Sequence, residues 1–191
     1  MKATALLSAE DFARVAPVLG ACELVRGEIV PMSPGGIKHS RVTVNAVALL
    51  DAHCRSRDLG RVLSGEAGLI VARRPDTVRG ADVVFISYER LPKGSVDDGF
   101  LRQPAELVIE VLSKDTSWEK VEEKVAEYHV FGVDLVWVLD SQTLTLRSYP
   151  RGGAPVLLRD TDLVTADPHL PGFAVRVSER SEEHTSELQS Q

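Results

Sequence analysis

The feature that most constrains the fold is the nearly continuous apolar run from Val133 to Leu139. Such a run is typical of a strand in a sheet that other elements cover on both faces. Further β-rich segments at Ala81–Ile86 and Ala105–Leu112 can pair with it, and amphipathic helical patterns lie between the strands. We therefore expect a mixed β-sheet with helices packed against it, in the α/β or α+β class.

The N-terminal third is predicted to contain a helix, a hairpin and a longer helix. The capping-box pattern Ser8-Ala-Glu-Asp11 indicates a short opening helix. Two extended runs, Cys22–Val25 and Glu28–Val30, flank Arg26-Gly27 and predict a β-hairpin. Apolar residues at helical spacing predict an amphipathic helix over His39–Arg57.

The rest of the chain is predicted to be mainly strands around one helix. Asp115 or Thr116 is expected to cap this helix, which ends at Gly132 and presents Trp118 and Tyr128 on its apolar face. Shorter β segments are predicted at Arg61–Ser64, Gly68–Ala72, Thr143–Tyr149, Val156–Leu158 and Phe173–Val177.

Composition excludes several classes of protein. With 191 residues, 43% of them hydrophobic and 26% charged, the chain resembles a single soluble domain, which we assign to residues 1–179. A net charge of -6 has the wrong sign for a protein that coats nucleic acid non-specifically. Because no apolar run is long enough for a signal peptide or a membrane span, we expect a cytoplasmic protein with no membrane partner. No GxxxxGKS/T or GxGxxG phosphate-binding motif occurs.

The segment 180–191 is predicted to be non-native. From Arg180 to Ser190 it resembles the translation of a common sequencing-adapter oligonucleotide. A genuine acidic tail is the alternative interpretation. If the adapter interpretation holds, His184 and the tail glutamates are excluded as ligands, and the natural C-terminus is missing.

Two carboxylates stand out because each interrupts an apolar strand. Asp82 begins Val-Val-Phe-Ile, and Glu110 lies inside Leu-Val-Ile-Glu-Val-Leu. A carboxylate in a buried strand is costly unless it is paired, hydrogen-bonded or bound to a cation. If their strands are neighbours, the two side chains converge and offer oxygen ligands to Mg²⁺. A structural salt bridge to Arg or Lys is the alternative.

Lys124 lies beside the apolar stripe of the predicted helix, so its long stem can reach the edge of the sheet. Tyr128 follows one turn later on roughly the same side, and Lys120 precedes by one turn. For Lys120 we favour a solvated position, because glutamates on the same helix can pair with it.

In combination, several motifs resemble one family. These motifs are Glu23-Leu-Val-Arg-Gly-Glu28, Met32-Ser-Pro, His39, Ala81-Asp-Val-Val, Leu107-Val-Ile-Glu-Val-Leu-Ser113, Thr116, Lys124-x3-Tyr128, Gly132-Val-x-Leu-Val-Trp-Val-Leu-Asp140 and Leu170-Pro-Gly-Phe173. They resemble the Uma-two (Uma2) family of restriction endonucleases, within the PD-(D/E)XK nuclease superfamily, over roughly residues 8–179.

The resemblance implies a restriction-endonuclease-like mixed sheet flanked by helices, with an N-terminal helix and β-hairpin. It implies that Asp82 and Glu110 bind the metal ion. Lys124 would stand in for the family's motif lysine, because Leu112 occupies the position two after Glu110. The candidate accessory residues are Glu28, His39, Glu66 and Tyr128. The sequence departs from the family pattern at Ala81, usually proline, and at Lys120, often aspartate.

The function that the resemblance implies is metal-dependent hydrolysis of phosphodiester bonds, with Mg²⁺ or Mn²⁺ as cofactor and DNA as partner. A homodimer would suit cleavage of both strands of a duplex. A basic rim around the site is a hypothesis for Lys38, Arg41, Arg73, Arg74 and Arg79, each of which has surface solubility as its simpler interpretation.

Two other functions stay open at this point. One is a catalytically inactive binding or assembly module on the same fold, with the acids in structural pairs. The other is a nuclease that acts on RNA or on structured DNA.

Overall fold

The computed structural model describes residues 6–95, 98–113 and 116–177. In chain order the elements are α1 (Ala9–Leu19), β1 (Cys22–Val25), β2 (Glu28–Pro31), α2 (Ile37–Arg57), β3 (Gly60–Ala72), β4 (Thr77–Ser87), β5 (Leu107–Leu112), α3 (Trp118–Phe131), β6 (Leu135–Asp140), β7 (Thr145–Pro150), β8 (Val156–Leu158), β9 (Leu163–Thr165) and β10 (Ala174–Arg176). The segment predicted to derive from an adapter lies outside the described residues.

A mixed sheet forms the centre of the molecule, which confirms the predicted fold class. The strand order is β2-β1-β4-β5-β6-β7-β8, and β3 pairs with β4. Strands β5 and β6 are parallel, and α3 makes the crossover between them, whereas the other neighbours are antiparallel. Strands β9 and β10 form a separate two-stranded sheet. Within the described residues, no helix combines the length and apolar character that a membrane crossing requires.

Helices cover both faces of this sheet, as the apolar run in β6 predicts. Helix α2 buries one side chain per turn, Val42, Ala46, Leu50 and Cys54, against one face. Helix α3 buries Val121, Val125 and Tyr128 against the other face. The C-terminal segment also packs on the α2 face, through Val164, Leu170, Phe173 and Val177.

The N-terminal helix and hairpin form as predicted. Ser8 caps α1 by accepting a hydrogen bond from the backbone N–H of Asp11 at 3.0 Å. The hairpin turns through Arg26 and Gly27, which both have positive φ, a conformation that glycine adopts without steric cost. Leu24 then pairs with Val78, so the hairpin is joined directly to β4.

The prediction of two separate strands before Ala72 was wrong, because β3 is one strand with a bulge. Gly65 and Glu66, both with positive φ, lie between Ser64 and Ala67 where the register with β4 shifts. A glycine that interrupts a strand pattern indicates either a turn or a bulge, and here it marks the bulge.

The start of α3 also differs from the prediction. Ser117 is the cap and accepts from the backbone N–H of Lys120 at 3.4 Å, whereas Thr116 precedes the cap and Asp115 lies outside the described residues. Trp118 is 39% exposed rather than packed in the core, and the guanidinium of Arg147 lies 4.3 Å from its ring centroid. A cation–π contact at the surface therefore replaces the expected core contact.

Asp134 fixes the connection between α3 and β6, and it provides a test of this packing. Its Oδ1 accepts from Arg151 at 2.7 Å, and its Oδ2 pairs with Arg90. Burial opposes the effect, but the Arg151 hydrogen bond and the charge of Arg90 hold the pKa of Asp134 below its usual value. Its ionisation therefore stabilises the fold above the unfolded-state pKa, and this contribution is lost as the pH falls through the folded-state pKa.

We expect Asp134→Asn to lower the free energy of unfolding at neutral pH by about 2 kcal/mol, the scale of lost charge-assisted hydrogen bonds. The difference from wild type should shrink as the pH falls to about 3. Urea denaturation at neutral pH and at about pH 3 measures the difference in free energy of unfolding between wild type and Asp134→Asn. The same difference at both pH values would contradict this account.

Candidate active site

The candidate site lies where β4 and β5 separate. The ladder of main-chain pairs between these strands ends at Val83 and Ile109. One residue further, Oδ2 of Asp82 accepts a hydrogen bond from the backbone N–H of Val111 at 2.6 Å. The side chain thus replaces a main-chain partner, and it holds Asp82 next to Glu110 at the point where the strands part.

His39 bridges the two strands from the first turn of α2. Its Nε2 lies 3.1 Å from Oδ1 of Asp82, and its Nδ1 lies 3.0 Å from the carbonyl oxygen of Val111. A carbonyl oxygen only accepts, so Nδ1 donates, and a second proton on Nε2 makes the contact with the carboxylate favourable. The hydrogen bond to Asp82 raises the pKa of His39 although burial opposes it, so the cationic imidazolium fits this position.

Glu110 points toward α3, which covers the face of the sheet opposite to α2. Its Oε1 accepts from the hydroxyl of Tyr128 at 2.6 Å, and its Oε2 lies 3.1 Å from Nζ of Lys124. Because Lys124 and Tyr128 are one helical turn apart, one carboxylate can contact both. Burial raises the pKa of Glu110 to about 7, against the attraction of Lys124.

The ammonium group of Lys124 has two further partners. Nζ lies 2.9 Å from Oε1 of Glu23 and donates to the carbonyl oxygen of Gly80 at 3.2 Å. Sequence reasoning missed Glu23, a buried residue of β1. The available signal was the one that identified Asp82, a carboxylate inside an apolar strand.

Of the two additional acids predicted from the sequence, the structure brings one to the site. The bulge in β3 places Oε2 of Glu66 only 2.8 Å from where a Cβ on Gly80 would lie, so the glycine leaves room for this carboxylate. Partial desolvation, followed by the charge of Asp82, raises the pKa of Glu66. Glu28 is exposed in β2, and no contact found among the described residues joins it to the other acids.

The predicted basic rim loses two of its members. Arg79 is buried, with Nη1 2.9 Å from Oε2 of Glu23 and Nε 2.6 Å from Oε2 of Glu127. Arg73 pairs with Glu10 at 3.0 Å. These two guanidinium groups neutralise acids of the protein itself.

We refer to the five carboxylates at this end of the sheet as the acidic cluster, which consists of Glu23, Glu66, Asp82, Glu110 and Glu127. The cations that face them are Arg79, Lys124 and His39. When all these groups are ionised, two negative charges remain in excess. Burial is the largest cause of the raised pKa values of Glu66 and Glu110, and the charges of neighbouring acids add to it, so a nearby cation would favour the ionised carboxylates.

The geometry fits an ion that needs few protein ligands. Within the ranges that the structure describes, no group of three Asp, Glu, His or Cys side chains forms a preformed metal cage. Mg²⁺ is commonly bound through one or two carboxylates, with water completing its shell. The side chains of Lys124 and His39 are 19% and 17% exposed, whereas those of Glu110 and Asp82 are 11% and 8% exposed.

Comparisons with known proteins agree with this description. Residues 9–178 match the sequence model of the Uma2 family, described as "Putative restriction endonuclease". The fold is similar to the crystal structure of a "putative nuclease belonging to DUF820" from Anabaena variabilis, with a TM-score of 0.77, 17% identity, and coverage of 91% of this chain and 97% of that one. No curated protein matches the chain. The predicted family and fold class are thereby confirmed.

The acidic cluster also predicts how stability depends on pH. The folded-state pKa values of Glu66, Glu110 and His39 are all raised. The stability that each contributes is fully present below its unfolded-state pKa and is lost as the pH rises through its folded-state pKa. We therefore expect the metal-free protein to melt at a lower temperature at about pH 8 than at about pH 5.

Glu110→Gln should flatten this dependence, because it removes the group whose pKa is raised to about 7. Thermal melting in the presence of a chelator measures the slope. Glu122→Gln, which removes an exposed glutamate of the same helix, is the control and should keep the wild-type slope. An unchanged slope in Glu110→Gln would contradict the assignment.

Proposed function

We propose that this chain, which belongs to the Uma2 family described as restriction endonucleases, is a metal-dependent nuclease that cleaves DNA. The observation that carries the proposal is the convergence of Asp82, Glu110 and Lys124. These residues come from two strands and the following helix. Nζ of Lys124 lies 3.1 Å from Oε2 of Glu110. Burial raises the pKa of Glu110 against the attraction of Lys124, and the charge of nearby Asp82 raises it further.

A cation is required on electrostatic grounds. Phosphodiesters are anionic, so the acidic cluster by itself would repel the substrate. Asp82 and Glu110 would hold Mg²⁺ or Mn²⁺, which would supply polarisation of the phosphate and a bound water of lowered pKa.

Lys124 supplies a positive charge beside Glu110. Its Nζ, 3.1 Å from Glu110, is placed to orient a water molecule or to stabilise the negative charge that develops on the phosphate. In the hydrolysis, the water oxygen bonds to phosphorus and the water gives up a proton. The bond from phosphorus to the leaving oxygen breaks, and the leaving oxygen takes up one proton, so that the products are a phosphomonoester and an alcohol.

His39 and Tyr128 act on the carboxylates. His39 fixes Oδ1 of Asp82 and Tyr128 fixes Oε1 of Glu110, so each ligand is held in one orientation by a hydrogen bond. Such support reduces the rearrangement that is needed when a ligand binds.

One observation favours a second candidate function, a catalytically inactive binding module. Both oxygens of Asp82, Glu110 and Glu23 have protein partners, so the acids are satisfied without a metal ion. In that case the acids stabilise the fold. Removal of one acid should destabilise the protein, and neither wild type nor the variant should cleave nucleic acid.

The test is cleavage of supercoiled plasmid DNA by the purified protein with Mg²⁺ or Mn²⁺. We expect Asp82→Asn and Glu110→Gln to lower the rate by about 100-fold or more, the scale of losing a group that stabilises charge in the transition state. Glu28→Gln, which removes an exposed acid outside the cluster, is the matched control and should cleave like wild type.

Cleavage that persists in both variants would contradict the proposal, as would its absence in wild type. If wild type does not cleave DNA and the variants Asp82→Asn and Glu110→Gln are less stable than wild type, the inactive binding module is favoured. A parallel assay on RNA separates the substrate classes, and cleavage of RNA alone would correct the assignment of DNA.

A further inference from the structure

We infer that Glu23 is a positioning residue, which holds the ammonium group of Lys124 beside Glu110. The inference rests on the proposed function, in which Lys124 acts on the water or the phosphate. It adds a residue that belongs to the N-terminal hairpin, outside the strands and helix that supply Asp82, Glu110 and Lys124.

The carboxylate of Glu23 is held in place by groups other than Lys124. The residue is 4% exposed. Its Oε1 accepts from the backbone N–H of Gly80 at 3.0 Å, and its Oε2 accepts from Arg79 at 2.9 Å. Two neighbouring residues of β4 therefore hold this side chain, and its Oε1 also lies 2.9 Å from Nζ of Lys124.

Lys124 needs a positioning residue because it extends from a helix and not from a strand of the sheet. Its side chain is long and flexible, and it extends from a helix. The position two after Glu110, where a strand would fix a side chain directly, carries Leu112. Glu23 and the carbonyl oxygen of Gly80 provide contacts in addition to that of Glu110, so three groups determine where Nζ lies.

Loss of Glu23 would change the balance of charges around Nζ. With one carboxylate removed, Glu110 becomes the dominant partner of the ammonium group, and the geometry of the lysine relaxes toward it. Misplacement of a catalytic group reduces turnover more than substrate affinity, because the transition state requires the more exact geometry.

Glu127 offers a matched control within the same network. Glu23 and Glu127 both pair with Arg79, but of these two acids only Glu23 is found in contact with Lys124. After Glu127→Gln, Glu23 retains its bonds to Gly80 and Arg79. Each single variant therefore removes one partner of Arg79, and only Glu23→Gln removes a partner of the lysine.

The experiment is steady-state cleavage of a DNA duplex with Mn²⁺ by wild type, Glu23→Gln, Glu127→Gln, Lys124→Met and the double variant Glu23→Gln/Lys124→Met. We expect Glu23→Gln to lower kcat by about 10- to 100-fold with little change in KM, the scale that a small misplacement causes. Glu127→Gln, which removes one acid of the cluster but no partner of the lysine, should lower kcat clearly less than Glu23→Gln. The double variant should be no slower than Lys124→Met, because Glu23 acts through the lysine.

Melting curves identify variants that do not fold. If Glu23→Gln fails to fold, Glu23→Asp, which keeps the charge but shortens the reach to Lys124, takes its place in the same comparison. The inference would be overturned if the double variant lost as much kcat as the product of the two single losses. Equal losses of kcat in Glu23→Gln and Glu127→Gln would also overturn it. Full activity of Glu23→Gln beside an inactive Lys124→Met would overturn the inference alone, whereas inactive wild type or fully active Lys124→Met would overturn the proposed function as well.

Discussion

Compensation of negative charge at one end of the central sheet is the constraint on which the rest of the structure depends. Carboxylates are costly to bury, and this site brings five of them together. Three basic side chains compensate these acids. Arg79 and Lys124 each pair with two of the carboxylates, and His39 pairs with one. The compensation is incomplete: burial raises the pKa of Glu110 to about 7 against the attraction of Lys124, and the charge of Asp82 adds to the increase.

Irregularities of the sheet create the space for this network. The pairing of β4 with β5 ends at Val83 and Ile109, so Asp82 can bond to a backbone N–H that would otherwise need a main-chain partner. A bulge in β3 brings Glu66 to the same end, and Gly80 leaves the room that its carboxylate requires. Asp82 and Glu110 continue the antiparallel register that pairs Val83 with Ile109, so alternation places their side chains on the same face.

The sequence predicted the central residues of the candidate site because burial and charge conflict there. Asp82 and Glu110 were evident as acids inside apolar runs, and Lys124 followed from its place beside an apolar helical stripe. Glu23 was missed because its strand has only four residues, too few for the same conflict to stand out. Glu28, which the family resemblance implies as an accessory acid, lies exposed on the partner strand of the hairpin.

Other differences have similar physical causes. A local pattern does not decide between a turn and a bulge, so β3 was divided into two strands. Helical spacing alone does not show how far an apolar face extends, which is why Trp118 was placed in the core. Its position at the first turn leaves the ring partly exposed, where Arg147 covers it.

The central claim, that Asp82 and Glu110 form a site for a divalent cation, is tested most directly by calorimetric titration of Mn²⁺ into the purified protein. The account predicts saturable uptake by wild type and by the control Glu122→Gln, and loss of uptake in Glu110→Gln. Equal uptake by Glu110→Gln and wild type, or no uptake by wild type, would contradict it.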